Sequence, residues 1–146
     1  PLTAVFKIEI KSTPIINHVA EFLKGYAMDR SNLRESIKVI RQVGEDIKKG
    51  RIVVIFPEGT RSKQGNIMGE FKGGSFKAAQ NAKAPIVPVA MIDCFKPFDT
   101  KGLAWVDCQI HYLAPIYFEE YQDLSTQEIA DLVKSRIQAK MDEVLK

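Results

Sequence analysis

Apolar and polar positions follow two rhythms along the chain, and each change of rhythm marks an element. Residues 4–10 alternate with period two, with Phe6, Ile8 and Ile10 on one side and Lys7 and Glu9 on the other, which predicts a short strand. Thr13 is placed to cap a helix that has Pro14 at its first position. Ile15, Ile16, Val19, Ala20 and Leu23 form that helix's apolar face, and Gly25 ends it. Residues 26–28 predict a brief strand leading to Asp29-Arg30. Asn32 with Glu35 has the spacing of a capping box. Leu33, Ile37, Ile40, Gly44 and Ile47 then recur at four-three spacing, up to a basic, glycine-terminated end at Lys48-Lys49-Gly50. The unbroken apolar run at residues 52–56 reads as a buried strand, and a helix followed by a buried strand points to a parallel sheet.

The second half is patterned less regularly. Residues 75–82 predict a short helix and residues 86–92 an apolar strand, in which Pro88 removes a ladder hydrogen bond and marks an edge or a bulge. Residues 105–112 alternate, which predicts a strand with Val106, Cys108, Ile110 and Tyr112 inward and His111 outward. Ser125 and Glu128 form a second capping box. Ile129, Leu132, Val133, Ile137, Met141 and Val144 carry a closing helix, with Arg136 snorkelling at the edge of the stripe. There is no internal repeat, low-complexity segment or linker. The expected fold class is therefore α/β, with a mixed, mostly parallel sheet flanked by helices.

Composition narrows the function classes. A chain of 146 residues suffices for one domain with a real core, not two. Hydrophobic content of 45% and charged content of 27% are those of a soluble globular protein. A net charge of +3 permits attraction to phosphorylated ligands or acidic surfaces, but no basic block or aromatic RNA-type signature points to nucleic acid. Cys94 and Cys108 are too few and too widely spaced for a metal site or a disulfide framework, so a reducing compartment is the default. No signal peptide or membrane-length apolar run is present. The chain begins at Pro1 rather than at Met, so a piece of something longer is expected.

The chemistry concentrates where the apolar run empties into Phe56-Pro57-Glu58-Gly59-Thr60-Arg61. In an open α/β sheet, ligands bind at the carboxyl ends of strands. Arg61 would present a planar fork of donors suited to phosphate or carboxylate there. Glu58 could brace it or accept from a ligand hydroxyl, and Gly59 lets the backbone turn sharply. The same residues also suit an ordinary turn, and surface Glu–Arg pairs are weak.

Four segments in order resemble the glycerolipid acyltransferases. Phe56-Pro57-Glu58-Gly59-Thr60-Arg61-Ser62 matches that family's third motif, and Phe71-Lys72-Gly73-Gly74-Ser75-Phe76-Lys77 the segment that follows it. Pro85-Ile86-Val87-Pro88-Val89 resembles the fourth motif. A glycine before a short strand ending in Asp-Arg, here Gly25 to Arg30, resembles the second. The resemblance implies a single acyltransferase domain over residues 1–146. It also implies acyl transfer from a carrier-protein or coenzyme A thioester to a glycerol phosphate hydroxyl, converting lysophosphatidic acid to phosphatidic acid. No metal or redox cofactor is implied, and a water-insoluble product implies work at a membrane surface, on the cytoplasmic side.

By the same resemblance, Arg61, Gly59 and Thr60 would hold the acceptor phosphate, Glu58 would support Arg61 or the glycerol, and Arg30 and Lys72 would add positive charge. Each has a plainer alternative: a salt bridge to Asp29 for Arg30, a solvated loop position for Lys72, and a tight turn at Gly73 and Gly74. Phe95, Phe98, Leu103 and Trp105 would contact membrane or an acyl chain, or else fill ordinary core.

One part of the family pattern is missing. Its general base is a histidine followed, five positions on, by an aspartate that orients and charges the ring. Here the positions five after His18 and His111 hold Leu23 and Ile116. The expectation is that the dyad lies upstream of Pro1 and that this chain alone is inactive. The rivals are a non-catalytic module binding phosphate or lysophospholipid, and a phosphatase. The phosphatase lacks a nucleophile beside residues 56–62.

Overall fold

In a computed structural model, which describes residues 2–9, 14–29, 31–99 and 105–146, two units of sheet and helix carry the chain. In the first, β1 (Leu2–Lys7), α1 (Pro14–Phe22), β2 (Tyr26–Met28), α2 (Leu33–Lys48) and β3 (Ile52–Val54) follow one another. The strands form a parallel sheet in the order β2-β1-β3, with Val5 opposite Tyr26 and Thr3 opposite Val53. The crossovers therefore run one way through α1 and back the other way through α2. Chain direction along the sheet switches between β1 and β3, and the crevice outside such strand ends is where α/β sheets receive ligands.

Local chemistry explains where these elements start and stop. Asn32 caps α2 by accepting from Glu35 N at 3.2 Å. Gly50, at φ 85°, turns the chain from the end of α2 towards β3. Arg51 then ties the layers, donating to the Tyr26 hydroxyl at 3.0 Å and lying 3.6 Å from the Asp46 carboxylate. Tyr26 donates its own O–H to Asp46.

The first sheet buries the β1 residues that alternate with Phe6 and Ile8. Thr3 and Val5 point inward to the cluster of Val43, Ala78, Val53 and Ile55, while Ile8 is exposed and Ile10 lies outside the described residues. Period two establishes alternation but not which set faces the core, and a one-residue phase change exchanges the faces. Phe6 is half-buried on the other side, against Gly25, where a Cβ would come within 2.6 Å of its ring. β3 is likewise not buried on both faces: Ile52, Val54 and Phe56 are exposed. The expected α1 stripe is also only partly buried, since Ala20 is covered and Val19 exposed; Thr13 falls outside the described residues.

The second unit holds the larger core. A 3-10 turn at Gly73–Phe76 leads into α3 (Lys77–Ala82), then β4 (Val89–Ile92), α4 (Lys96–Asp99), β5 (Gln109–Tyr112), α5 (Phe118–Tyr121) and α6 (Thr126–Val144). β4 and β5 pair antiparallel, with Ala90 opposite His111. Pro88, fully buried, sits between β4 and an isolated bridge joining Ile86 to Ile116. β5 is shorter than predicted and turned over: Ile110 and Tyr112 are exposed and His111 is half-buried, because its register places His111 beside the buried Ala90. α6 carries the reciprocal Ser125–Glu128 cap and buries Ile129, Ala130, Val133, Ile137 and Met141. Arg136 lies at the stripe's edge, 2.8 Å from the Glu120 carboxylate. The Tyr121 hydroxyl, on a fully buried ring, donates to the carbonyls of Ala79 and Ala84.

Candidate functional site

The loop leaving β3 is braced at several points. Gly59, buried and at φ 71°, closes a turn in which its N–H donates to Phe56 O at 3.1 Å. A side chain is rarely accommodated at that φ, which is the physical use of the glycine. Glu58 accepts from Gly69 N at 2.7 Å, so its carboxylate ties residue 58 to residue 69. Lys72 N donates to Pro57 O at 3.1 Å and closes the loop at its base. Ser62 donates to Ile67 O at 2.8 Å and accepts from Gln64 N at 3.1 Å.

A second set of contacts docks the loop on the end of β4. Asn66 and Asp93 exchange two hydrogen bonds, Asn66 Nδ2 to Asp93 Oδ1 at 3.0 Å and Asp93 N to Asn66 Oδ1 at 2.8 Å. Lys96 adds a 2.7 Å ion pair to Asp93. Lys96, with Asn66 second, holds the Asp93 carboxyl below its ordinary range. Arg61 lies 3.2 Å from Asp99 on α4, with the two side chains 55% and 46% exposed. The guanidinium is thus partly open to solvent, with Asp99 among its partners.

Glu58, Gly59, Thr60, Arg61 and Lys72 thus share one loop at the carboxyl end of β3, with Thr60, Arg61 and Lys72 exposed. Arg30 lies outside the described residues. Its neighbour Asp29 has local partners: it accepts from Ser31 N at 2.9 Å and Ser31 Oγ at 2.6 Å, bonds that lower its carboxyl below the usual value. Gly73 packs against the start of α6, and Trp105 is fully exposed rather than part of a core. His18 is exposed on α1, 3.8 Å from Glu21, and His111 contacts Gln109 at 3.0 Å.

An open cavity of 120 Å³ lies at the carboxyl ends of β1 and β2, lined by Lys7, Glu9, Met28, Asp29 and Ser31. Lys7 was given no binding role by its sequence context, because a lysine on a strand's polar side has no local mark of function. Only the pairing of β1 between β2 and β3 puts it on the same sheet edge as the Arg61 loop. Asp99 and Asp93 were missed for the same reason: their partners are remote in sequence. Among the described residues no group of His, Cys, Asp and Glu could hold a metal ion, and no helix is long and apolar enough to cross a membrane.

A parallel sheet with a braced, cation-bearing loop at the carboxyl end of β3 defines an α/β domain. Residues 1–92 match the model of the acyltransferase family, and the chain belongs to that family. A 1-acyl-sn-glycerol-3-phosphate acyltransferase of Pseudomonas aeruginosa is 40% identical over 91 residues, 62% of this chain and 35% of that protein. One of Saccharomyces cerevisiae is 32% identical, over 97% of this chain and 48% of its own length. The chain spans about a third to a half of the curated relatives it matches. In fold, it is similar to the crystal structure of the 1-acyl-sn-glycerophosphate acyltransferase PlsC of Thermotoga maritima, with a TM-score of 0.72, 23% identity and coverage of 97% of this chain and 56% of that one.

Proposed function

We propose that this domain holds the phosphate of glycerol phosphate or lysophosphatidic acid while the acceptor hydroxyl takes an acyl group from a carrier-protein or coenzyme A thioester. The observation that carries the reading is Arg61, half-exposed on a loop that Glu58, Asn66 and the Lys72 backbone hold against the sheet and β4. A doubly charged phosphate outcompetes one surface carboxylate for a guanidinium, since bidentate, charge-assisted bonds are the stronger. Lys72 and Lys7 supply further positive charge near the same strand ends, and the sequence adds Arg30. Thr60 and Glu58 offer polar groups to the glycerol. The thioester is already activated, so the reaction needs no metal or redox cofactor, and its lipid product implies work at the cytoplasmic face of a membrane.

The proton acceptor of the reaction is a histidine paired with an aspartate five positions on, and neither His18 nor His111 has that partner. We therefore expect the 146-residue chain to bind the acceptor without turning it over. Arg61→Ala should weaken glycerol 3-phosphate binding by at least about 1.5 kcal/mol, roughly tenfold, in calorimetry. An unchanged affinity would remove Arg61 from the site. Lysophosphatidic acid and acyl coenzyme A mixed with the purified chain should give no product above background, and measurable phosphatidic acid would refute the missing-base argument. A second reading is a binding module without catalysis, which a gene whose upstream sequence also lacks the His–Asp pair would select.

A further inference from the structure

Cys94 and Cys108 have no part in the reading above, yet the fold brings these residues together. The β4–β5 ladder pairs Ile92 with Gln109; Cys94 lies two residues after Ile92 and Cys108 one residue before Gln109. Continued one step, that register sets Cys108 opposite Asp93, so Cys94 is the diagonal neighbour of Cys108. The left-handed Asp93, at φ 60°, breaks the strand's alternation and swings Cys94 towards the partner strand. Cys94 Sγ lies 3.7 Å from Gln109 O, and Cys108 Sγ lies 3.6 Å from Asp93 O. Each sulfur thus touches the residue next to the other cysteine.

We propose that Cys94 and Cys108 are a reversible dithiol–disulfide pair that staples the base of the segment between β4 and β5. The oxidant is a low-molecular-weight disulfide such as oxidised glutathione. Exposed Cys108 attacks it as the thiolate, forming a mixed disulfide and expelling one glutathione thiolate. Cys94 then attacks Cys108 Sγ, the protein disulfide forms, and the second glutathione thiolate leaves. Two protein thiols are oxidised, one glutathione disulfide is reduced, and the two thiol protons pass to the departing thiolates. Burial, with Cys108 alongside, raises the Cys94 thiol above its ordinary range, which suits the resolving rather than the attacking role. The stapled segment carries Asp99, the partner of Arg61.

The test is titration of the native chain with oxidised and reduced glutathione, followed by alkylation and intact mass measurement. The expected product is a monomer lacking two hydrogens and carrying no label. It should form at a proportion of oxidised glutathione about tenfold lower than in the urea-unfolded chain, because folding raises the effective concentration of the two thiols. Cys94→Ser should stop at a mixed disulfide on Cys108, and Cys108→Ser should leave residue 94 unmodified. Equal oxidation of folded and unfolded chains, a stable mixed disulfide in the wild type, or a disulfide-linked dimer would each overturn the proposal. None of these outcomes bears on Arg61, so the two readings fail separately.

Discussion

Neighbouring glycines in the Phe71–Lys77 segment should respond oppositely to the same substitution. A Cβ built on Gly73 would stand 2.9 Å from Gln127 N, 3.0 Å from Thr126 C and 3.1 Å from Thr126 O. All three are backbone atoms in the first turn of α6, which its cap and the fully buried Ile129 hold in place. Nothing there can swing aside, so Gly73→Ala must push the helix or the 3-10 turn. Overpacking of this kind costs about 1–3 kcal/mol, and loss of the 3.3 Å bond from Gly73 N to Gln127 Oε1 adds about 1 kcal/mol. The expected destabilisation is about 3 kcal/mol. At Gly74 a Cβ meets nothing within 4 Å. Gly74→Ala should therefore stabilise by about 0.4–1 kcal/mol, by restricting the unfolded chain. Urea denaturation followed by far-ultraviolet circular dichroism measures both; the single tryptophan, Trp105, is fully exposed and reports poorly on packing. Equal midpoints for the two variants would refute the packing argument.

Two further outcomes follow from named contacts. Asp99→Asn removes a carboxylate paired with Arg61, and an exposed pair of this kind is worth about 0.2–1 kcal/mol. Glycerol 3-phosphate should then bind up to about fivefold more tightly at low salt, whereas weaker binding would make Asp99 a positioning partner. The Tyr26 hydroxyl, the largest cause, depresses the Asp46 carboxyl below its ordinary 3.8. A depressed carboxyl contributes stability that is present above 3.8 and is lost as pH falls through the folded value. The gap in stability between wild type and Tyr26→Phe should accordingly be full at pH 6 and shrink below pH 3.8. A gap independent of pH would dissociate Tyr26 from that titration.

Elements whose cause is local were legible in the sequence, and those whose cause is remote were not. The Ser125–Glu128 cap needs residues three apart, and β2 lies between a helix-ending glycine and a turn. The facing of β1 and β5 depends on which helix or strand lies opposite, so alternation left β1 unassigned and put Ile110 and Tyr112 on the wrong side. The site shows the same division. The loop from Phe56 to Arg61 could be read as a strand end carrying a cation. Its ties from Glu58 to Gly69, from Asn66 to Asp93 and from Arg61 to Asp99 join residues that nothing in the linear pattern pairs. α5 was missed because four residues are too few to show a period.

β3 pairs with β1 alone and leaves Ile52, Val54 and Phe56 uncovered, with Leu2 beside them on the same side of the sheet. An outermost ribbon that is wet on one side has little to resist peeling, and local opening costs least where few apolar contacts must be broken. The loop that presents Arg61 leaves this half-wet ribbon and is braced beyond it by Glu58, Asn66 and the Lys72 backbone. Any body that settles on those four oily side chains would therefore stiffen, from behind, the strand from which the Arg61 loop leaves.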